Sequence, residues 1–418
     1  MKRVHGSLLP LVSLTLAALA CNVLSPGSAT PTFDVGEAAT PIPAATEGPP
    51  PTEPGAATAT LEAAASETPA GAASETPAAA DQTFIAYVYE GQLLVTEVTG
   101  GALGGTTQYT QPGVDDGVTD FVWSPSGEYI AYTGLIGEDQ HVFYVYAEGA
   151  GTPVDLGAGA IAAWSPDSTQ VAYQSAGQLW LTALAEPTPR QLTAQDNWAW
   201  GRPAFMPNGL SLLVTGEAFN DMGASGNTTF WLYSLPLDGS GTLTPLPGMT
   251  QAAEGRLPYD LQFSPDGAKL SFSTSWHLSA CASLGSYYVA NNDGSDLRAV
   301  VSPSLDALAN EDEEDYFNAY GYAWRPDSAA LLTSGLVRDC TDFAGTVLGA
   351  QMSLVTLDGA ESLIIPGSFA PVSFDRTGAT IGASRIDDQT QPGLVQLYDL
   401  AGNLVLEVGA GNAAELQP

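Results

Sequence analysis

Basic residues are scarce in this chain: its 418 residues include 11 Lys and Arg against 46 Asp and Glu, a formal net charge of −35. That balance excludes nucleic acid as a partner, because binding phosphates requires clustered Lys and Arg to release counterions. It also disfavours adsorption to anionic headgroups, so membrane association has to come from an anchor. Histidine and cysteine are rare too, at three each. Beyond residue 83 the histidines are His141 and His277, and no Gly-x-Ser-x-Gly elbow accompanies them. A serine-hydrolase triad therefore lacks its parts. Two thiols and one nearby His fall short of four zinc ligands, and neither metal nor cofactor is expected.

What the chain has instead is a repeated phrase: an aromatic residue, usually a Pro, an Asp or close substitute, and usually a Gly. The copies begin at Trp123, Trp164, Phe205, Phe263, Trp324 and, in degenerate form, Phe374, with spacings of 41, 41, 58, 61 and 50 residues. Pro presets the second position of a β-turn, Asp or Asn bonds back to the local backbone, and Gly takes the left-handed conformation that returns the chain. Two β-rich runs follow each turn, such as Tyr129-Ile130-Ala131-Tyr132 and Val142-Phe143-Tyr144-Val145, then another turn and a short fourth strand. Each repeat reads as a four-stranded antiparallel sheet, and the period is that of propeller blades.

Residues 84 to 109 match the last three strands of a blade but lack a first. The tail from Gly409 to Pro418 resembles the segment from Gly157 to Pro166, where a first strand is expected. The reading is an all-β, seven-bladed β-propeller over residues 83–418, closed by N- and C-terminal strands; the alternative is six blades. Closure removes the sheet edges that invite aggregation. Trp123, Trp164 and Trp324 are then expected between sheets rather than against a ligand.

Ahead of the propeller, Lys2 and Arg3 precede an apolar run from Leu8 to Ala20 and then Cys21. The run is short of the roughly 20 residues of a membrane span and suits a secretory signal. Ala18-Leu19-Ala20-Cys21 is similar to a bacterial lipoprotein cleavage site, with Cys21 as the lipidated residue. Residues 1–21 are thus read as a signal peptide and 22–82, rich in Ala, Thr, Pro and Glu, as a disordered tether. The expected location is extracytoplasmic, lipid-anchored to a bacterial membrane, with simple secretion as the alternative.

Cys281 and Cys340 fall after the second strands of adjacent blades, and in an oxidising compartment they are expected to form a disulfide. Insertions concentrate on the face that carries the loops between strands two and three, where binding usually resides on a rigid scaffold. Arg202, Arg256, Arg338 and Arg385 are expected at or near that face, with Trp198, Trp200, Trp276 and His277. Arg forks hold carboxylate or phosphate and tryptophans stack on sugars or cations, so a carboxylated glycan or peptide terminus is the ligand class. The competing reading pairs these arginines with acidic neighbours such as Glu254, Asp339, Asp387 and Asp388. The run Glu311-Asp312-Glu313-Glu314-Asp315 lacks the alternating spacing of a calcium loop and reads as a solvated surface.

The repeat phrase, kept as Ser-Pro in the copies at Trp123, Trp164 and Phe263 and as Pro at Phe205 and Trp324, resembles the TolB-like family of WD-type β-propeller repeats. The same repeats furnish the propeller of dipeptidyl peptidase-like proteins. That resemblance implies a propeller over about residues 84–407 and little about activity, since one fold hosts many. The α/β domain of TolB and the hydrolase domain of the peptidases find no counterpart in the reading, so neither's partner nor chemistry is carried over. The expected function is a binding or protein-interaction module, monomeric, without catalysis, its partner an envelope protein or glycan. The alternative is a propeller hydrolase or lyase acting on acidic polysaccharide, with Arg202, Arg256 and Arg338 in a sialidase-like role.

Overall fold

The computed structural model describes residues 82–111, 117–149, 151–196, 198–218, 232–246, 249, 258–277, 283–300, 302–308, 315–339, 341, 346–386 and 393–418. Nearly all are strand or turn, in seven four-stranded antiparallel blades arranged as a β-propeller. The first strands are Asn412–Leu416 in blade 1, Asp120–Trp123 in blade 2, Ala160–Trp164 in blade 3 and the split pair Trp198–Trp200 and Ala204–Phe205 in blade 4. Blades 5, 6 and 7 begin with Pro258–Phe263, Asp315–Trp324 and Phe369–Phe374.

Closure is the expected one. Blade 1 takes its first strand from the C-terminus: Asn412–Leu416 runs antiparallel to Gln82–Tyr89, with Ile85 opposite Leu416 and Ala86 opposite Glu415. Gln417 extends the seam, its backbone N–H bonding the Phe84 carbonyl at 2.8 Å and its side chain the Gly127 carbonyl at 2.7 Å.

Because strands alternate their side chains between two faces, every blade has two apolar faces to bury, and only a neighbouring blade can cover each. The core accordingly comes in seven clusters, one per blade interface. The seventh joins Val395 and Leu397 of blade 7 to Ile85, Tyr87, Ala414 and Leu416 of blade 1. The repeated tryptophans are buried and reach into the preceding blade. Trp164 Nε1 donates to the Val122 carbonyl at 3.1 Å, Trp123 Nε1 to the Glu415 carbonyl at 3.1 Å, and Trp324 Nε1 to Ser271 Oγ at 2.7 Å.

The turns follow their chemistry. Asp167 accepts from Ser165 Oγ at 2.6 Å and from the Thr169 N–H at 3.1 Å, and Gly127, Gly209, Gly267 and Gly378 have φ near +70°. Two copies place Ser where Gly is favoured, and Ser168 and Ser328 hold the left-handed conformation at φ 59° and 61°. Each has a compensating bond. Ser168 Oγ accepts the Ser126 N–H at 2.9 Å and Ser328 Oγ the Asp266 N–H at 3.1 Å, stitching one turn to the turn of the preceding repeat.

Candidate functional site: a charged cluster on the propeller axis

The first strands share a pattern that defines the axis. Numbered back from the repeated aromatic, the residue two places earlier is buried between blades: Phe121, Ala162, Leu261, Tyr322, Val372 and, in the closing strand, Ala414 before Leu416. Where they are described, residues three and four places earlier are partly open, as Asp120 and Thr119 are in blade 2. A register shift interrupts this strand in blades 1, 3, 5, 6 and 7. Such bulges re-aim side chains. In blade 5 the bulge leaves both Tyr259 and Asp260 exposed, with Asp260 at φ 51°.

Three charged residues occupy the position three before the aromatic: Asp120 in blade 2, Arg202 in blade 4 and Asp260 in blade 5. Arg202 Nη2 lies 2.5 Å from Asp120 Oδ2, and its Nη1 donates to the Ala162 carbonyl of blade 3 at 3.3 Å. One side chain thus ties together three blades across the lumen. Enclosure by protein opposes the charge on Arg202, yet Asp120 first, then Asp260 and Glu415, hold its pKa above the ordinary value.

Glu415, two residues further along in the closing strand, completes the group. Part of its surface faces the lumen, but protein surrounds it, and no hydrogen bond reaches its carboxyl among the described residues. Desolvation, reinforced by Asp120 and Asp260 and partly relieved by Arg202, pushes its pKa up to about 8. Three carboxyl groups therefore face one guanidinium. Asp260 is anchored through its carbonyl, which accepts from the buried hydroxyl of Tyr322, and its Oδ2 accepts from Ser273 Oγ at 3.4 Å.

Towards the loop face, the position four before the aromatic carries Tyr259 in blade 5 and Tyr320 in blade 6, 46% and 37% exposed. The same ring elsewhere holds Thr119, Ala160, Gly201, Ala370 and Asn412. Two clefts of about 300 Å³ and 310 Å³ lie away from the axis, one beside Arg298 and Asp358, the other beside Glu97 and Glu148. Neither includes a member of the cluster.

The residues expected at a loop-face site separate. Arg202 lies in the break between the two halves of the first strand of blade 4, where it pairs with Asp120. Trp200 is buried in the core between blades 3 and 4 and stacks on Trp198 with centroids 5.1 Å apart, while Trp198 also meets Tyr233 edge-on at 5.7 Å. Arg338 and Arg385 end the second strands of blades 6 and 7, opposite Tyr316 and Phe369, and both are partly exposed. Trp276 and His277 end the second strand of blade 5, opposite Leu284 and Ser283, and their side chains lie outside the described structure. So do Arg256, Cys21, Cys281 and Cys340. His141 pairs with Asp155 at 3.0 Å within blade 2. Among the described residues no three His, Cys, Asp or Glu side chains are grouped to hold a metal ion.

Asp120, Asp260 and Glu415 were not singled out by composition or motif. The repeat frame carries the signal nonetheless, because an inward position occupied by Gly321, Pro371 and Ala413 in other blades has no packing reason to hold Asp or Arg.

Comparison with known proteins bears on the fold. No protein-family model matches the chain, and no curated protein matches it. Solved structures do match. An oligogalacturonate lyase in complex with manganese is 13% identical, over 79% of this chain and 84% of that one, with a TM-score of 0.50. The oligogalacturonate lyase of Vibrio parahaemolyticus is 11% identical over 80% and 87%, at 0.49, and TolB from Acinetobacter baumannii 14% identical over 80% and 67%, at 0.41. The chain is a seven-bladed β-propeller. At these identities the likeness carries the fold and no activity.

Proposed function

We propose that this propeller is a TolB-like extracytoplasmic binding module, held to a bacterial membrane by a lipid on Cys21 and a tether of residues 22–82, and that its ligand enters the axial lumen. The observation that carries the reading is the convergence of Asp120, Arg202, Asp260 and Glu415, from four blades, on one axis. A scaffold under no demand but stability fills its inward positions with small or apolar residues, because a desolvated ion pair gains little over an apolar one. Charged groups kept on an axis at that cost are functional candidates.

The runner-up, cleavage of an acidic polysaccharide, is disfavoured by the same cluster. With the pKa of Glu415 pushed up to about 8, Asp120 and Asp260 face the one guanidinium, and no net positive charge remains to attract a polyanion. Among the described residues no helix is long and apolar enough to cross a membrane.

Two measurements test the reading. Affinity capture from envelope extract with the full chain should retain a partner that a Tyr259→Ala, Asp260→Asn variant releases. Cell fractionation of Cys21→Ser should move the protein from the membrane to the soluble fraction. Equal capture by wild type and double variant, or turnover of an acidic oligosaccharide, would overturn it.

A further inference from the structure

We infer that the cleft beside Arg298, between the rims of blades 5 and 6, is a second binding site that takes an aliphatic α-amino acid as its zwitterion. The carboxylate goes to Arg298, the ammonium to Asp306 and Asp358, and the side chain to Val300, Pro303 and Leu357. The site shares no residue with the axial cluster.

It originates in an interruption of the repeat. The interval from Phe263 to Trp324, 61 residues, is the longest between copies of the turn phrase. Within it the outer strand of blade 5 lasts only two residues, Arg298–Ala299, and the chain then forms the short helix Pro303–Asp306 instead of continuing along the blade edge. Strand, helix and the turn Leu357-Asp358-Gly359 of blade 6 enclose a cleft of about 300 Å³. That volume is at the lower end of small-ligand sites, so the occupant is small.

The walls are pinned in advance. Ser302 Oγ and Ser304 Oγ donate to Glu361 Oε1 at 2.5 and 2.9 Å, the Ser304 N–H to Glu361 Oε2 at 3.1 Å, and Gln351 Nε2 to Glu361 Oε1 at 3.0 Å. This network fastens the helix that carries Asp306 to the third and fourth strands of blade 6. The turn that carries Asp358 is closed by the Gly359 N–H on the Thr356 carbonyl at 2.9 Å. Little ordering therefore opposes the entry of a ligand.

The lining selects by charge and by shape. Arg190, Arg202, Arg325 and Lys269 are each held by an acceptor of the protein. Arg298 makes no hydrogen bond or ion pair among the described residues, and neither does the Asp306 carboxyl. Asp358 is kept ionised by the Thr356 hydroxyl first and by Arg298 at longer range. A lone anion in this cleft would meet two carboxylates, and a lone cation would meet the guanidinium. A molecule that carries both charges at one end satisfies the two signs together, and a hydrocarbon at its other end covers the apolar floor, where Val300 is buried. An aliphatic α-amino acid has that form.

The test is calorimetric titration of the full chain with L-leucine and three analogues, each lacking one recognised group: N-acetyl-L-leucine the ammonium, L-leucinamide the carboxylate and glycine the side chain. Because the charged groups stand at an open rim, each contributes modestly. Leucine should bind saturably with a dissociation constant below about 5 mM, and every analogue at least about tenfold more weakly. Arg298→Gln should weaken leucine about tenfold and leave leucinamide unchanged, whereas Asp306→Asn should weaken leucine and leave N-acetyl-leucine unchanged.

No saturable binding of leucine by the wild type, or equal affinity for leucine and any of the three analogues, would overturn the inference. These comparisons use the wild type and stand even where a variant fails to fold. None involves the axial residues, so this site and the binding-module reading above fail separately.

Discussion

Arg202 of blade 4 and Asp120 of blade 2 form an ion pair at 2.5 Å although a whole blade separates their strands in sequence. The guanidinium also bonds the Ala162 carbonyl of that intervening blade, so the contact fixes the mutual placement of three first strands. Removing the guanidinium leaves Asp120 near Asp260 and Glu415 with no compensating charge. Arg202→Met should therefore destabilise the fold by about 2–3 kcal/mol, below the usual cost for a fully buried pair because the lumen admits solvent. The double variant Arg202→Met, Asp120→Asn should recover at least half of that loss. Urea denaturation of the three proteins gives the coupling directly, and additive losses would contradict it.

Stability should depend on pH through Glu415. Its folded pKa, about 8, lies above the ordinary glutamate value of 4.5, so the folded state binds the extra proton between those limits. The contribution is fully present below about pH 4.5 and is lost as pH rises through 8. Urea midpoints should fall from pH 6 to pH 9, by an amount equivalent to about 1–3 kcal/mol after allowance for water in the lumen. Glu415→Gln should flatten that slope; an unchanged slope would place the responsible group elsewhere.

The serines in the repeat turns give a prediction with two signs. Ser168 occupies φ 59° and accepts the Ser126 N–H. Ser168→Ala keeps the strained backbone and loses the bond, and should cost about 1–2 kcal/mol. Ser168→Gly loses the same bond but relieves the strain, and should fall within about 0.5 kcal/mol of the wild type. Thermal unfolding distinguishes them: equal losses would show that the left-handed backbone carries no strain, and an unchanged Ser168→Ala would show that the inter-turn bond contributes nothing.

Cys281 and Cys340 follow the second strands of blades 5 and 6, which end at His277 and Asp339. We propose that they are bridged. Mass mapping under non-reducing conditions should find one linked peptide pair, and two free thiols would refute the bridge.

The architecture was legible because each blade repeats its turn chemistry: the aromatic, Pro, Asp and Gly each perform a separate local job, and even the substituted copies at Ser168 and Ser328 keep the spacing. Closure was legible for the same reason, since the segment at Leu416 repeats the one at Trp164. The axial cluster was not. Arg202 finds Asp120 82 positions away, and no local pattern announces a pairing made only when a ring closes. Trp200 was expected beside the arginines of the loop face; the first strand of blade 4 breaks between Trp200 and Ala204, and the ring is buried in the cluster that holds Leu179 and Leu212.

Hydrogen exchange of the closing strand tests the account most directly, because the axial cluster exists only if that strand is docked. The Ala414 N–H bonds Ser384 Oγ at 3.1 Å and the Leu416 N–H bonds Ser373 Oγ at 2.9 Å, both in blade 7. These amides should exchange as slowly as those of Ile85 and Ala86. Rapid exchange over residues 412–416 beside a protected strand at 82–89 would mean an open ring, and with it no axis for the charges to share.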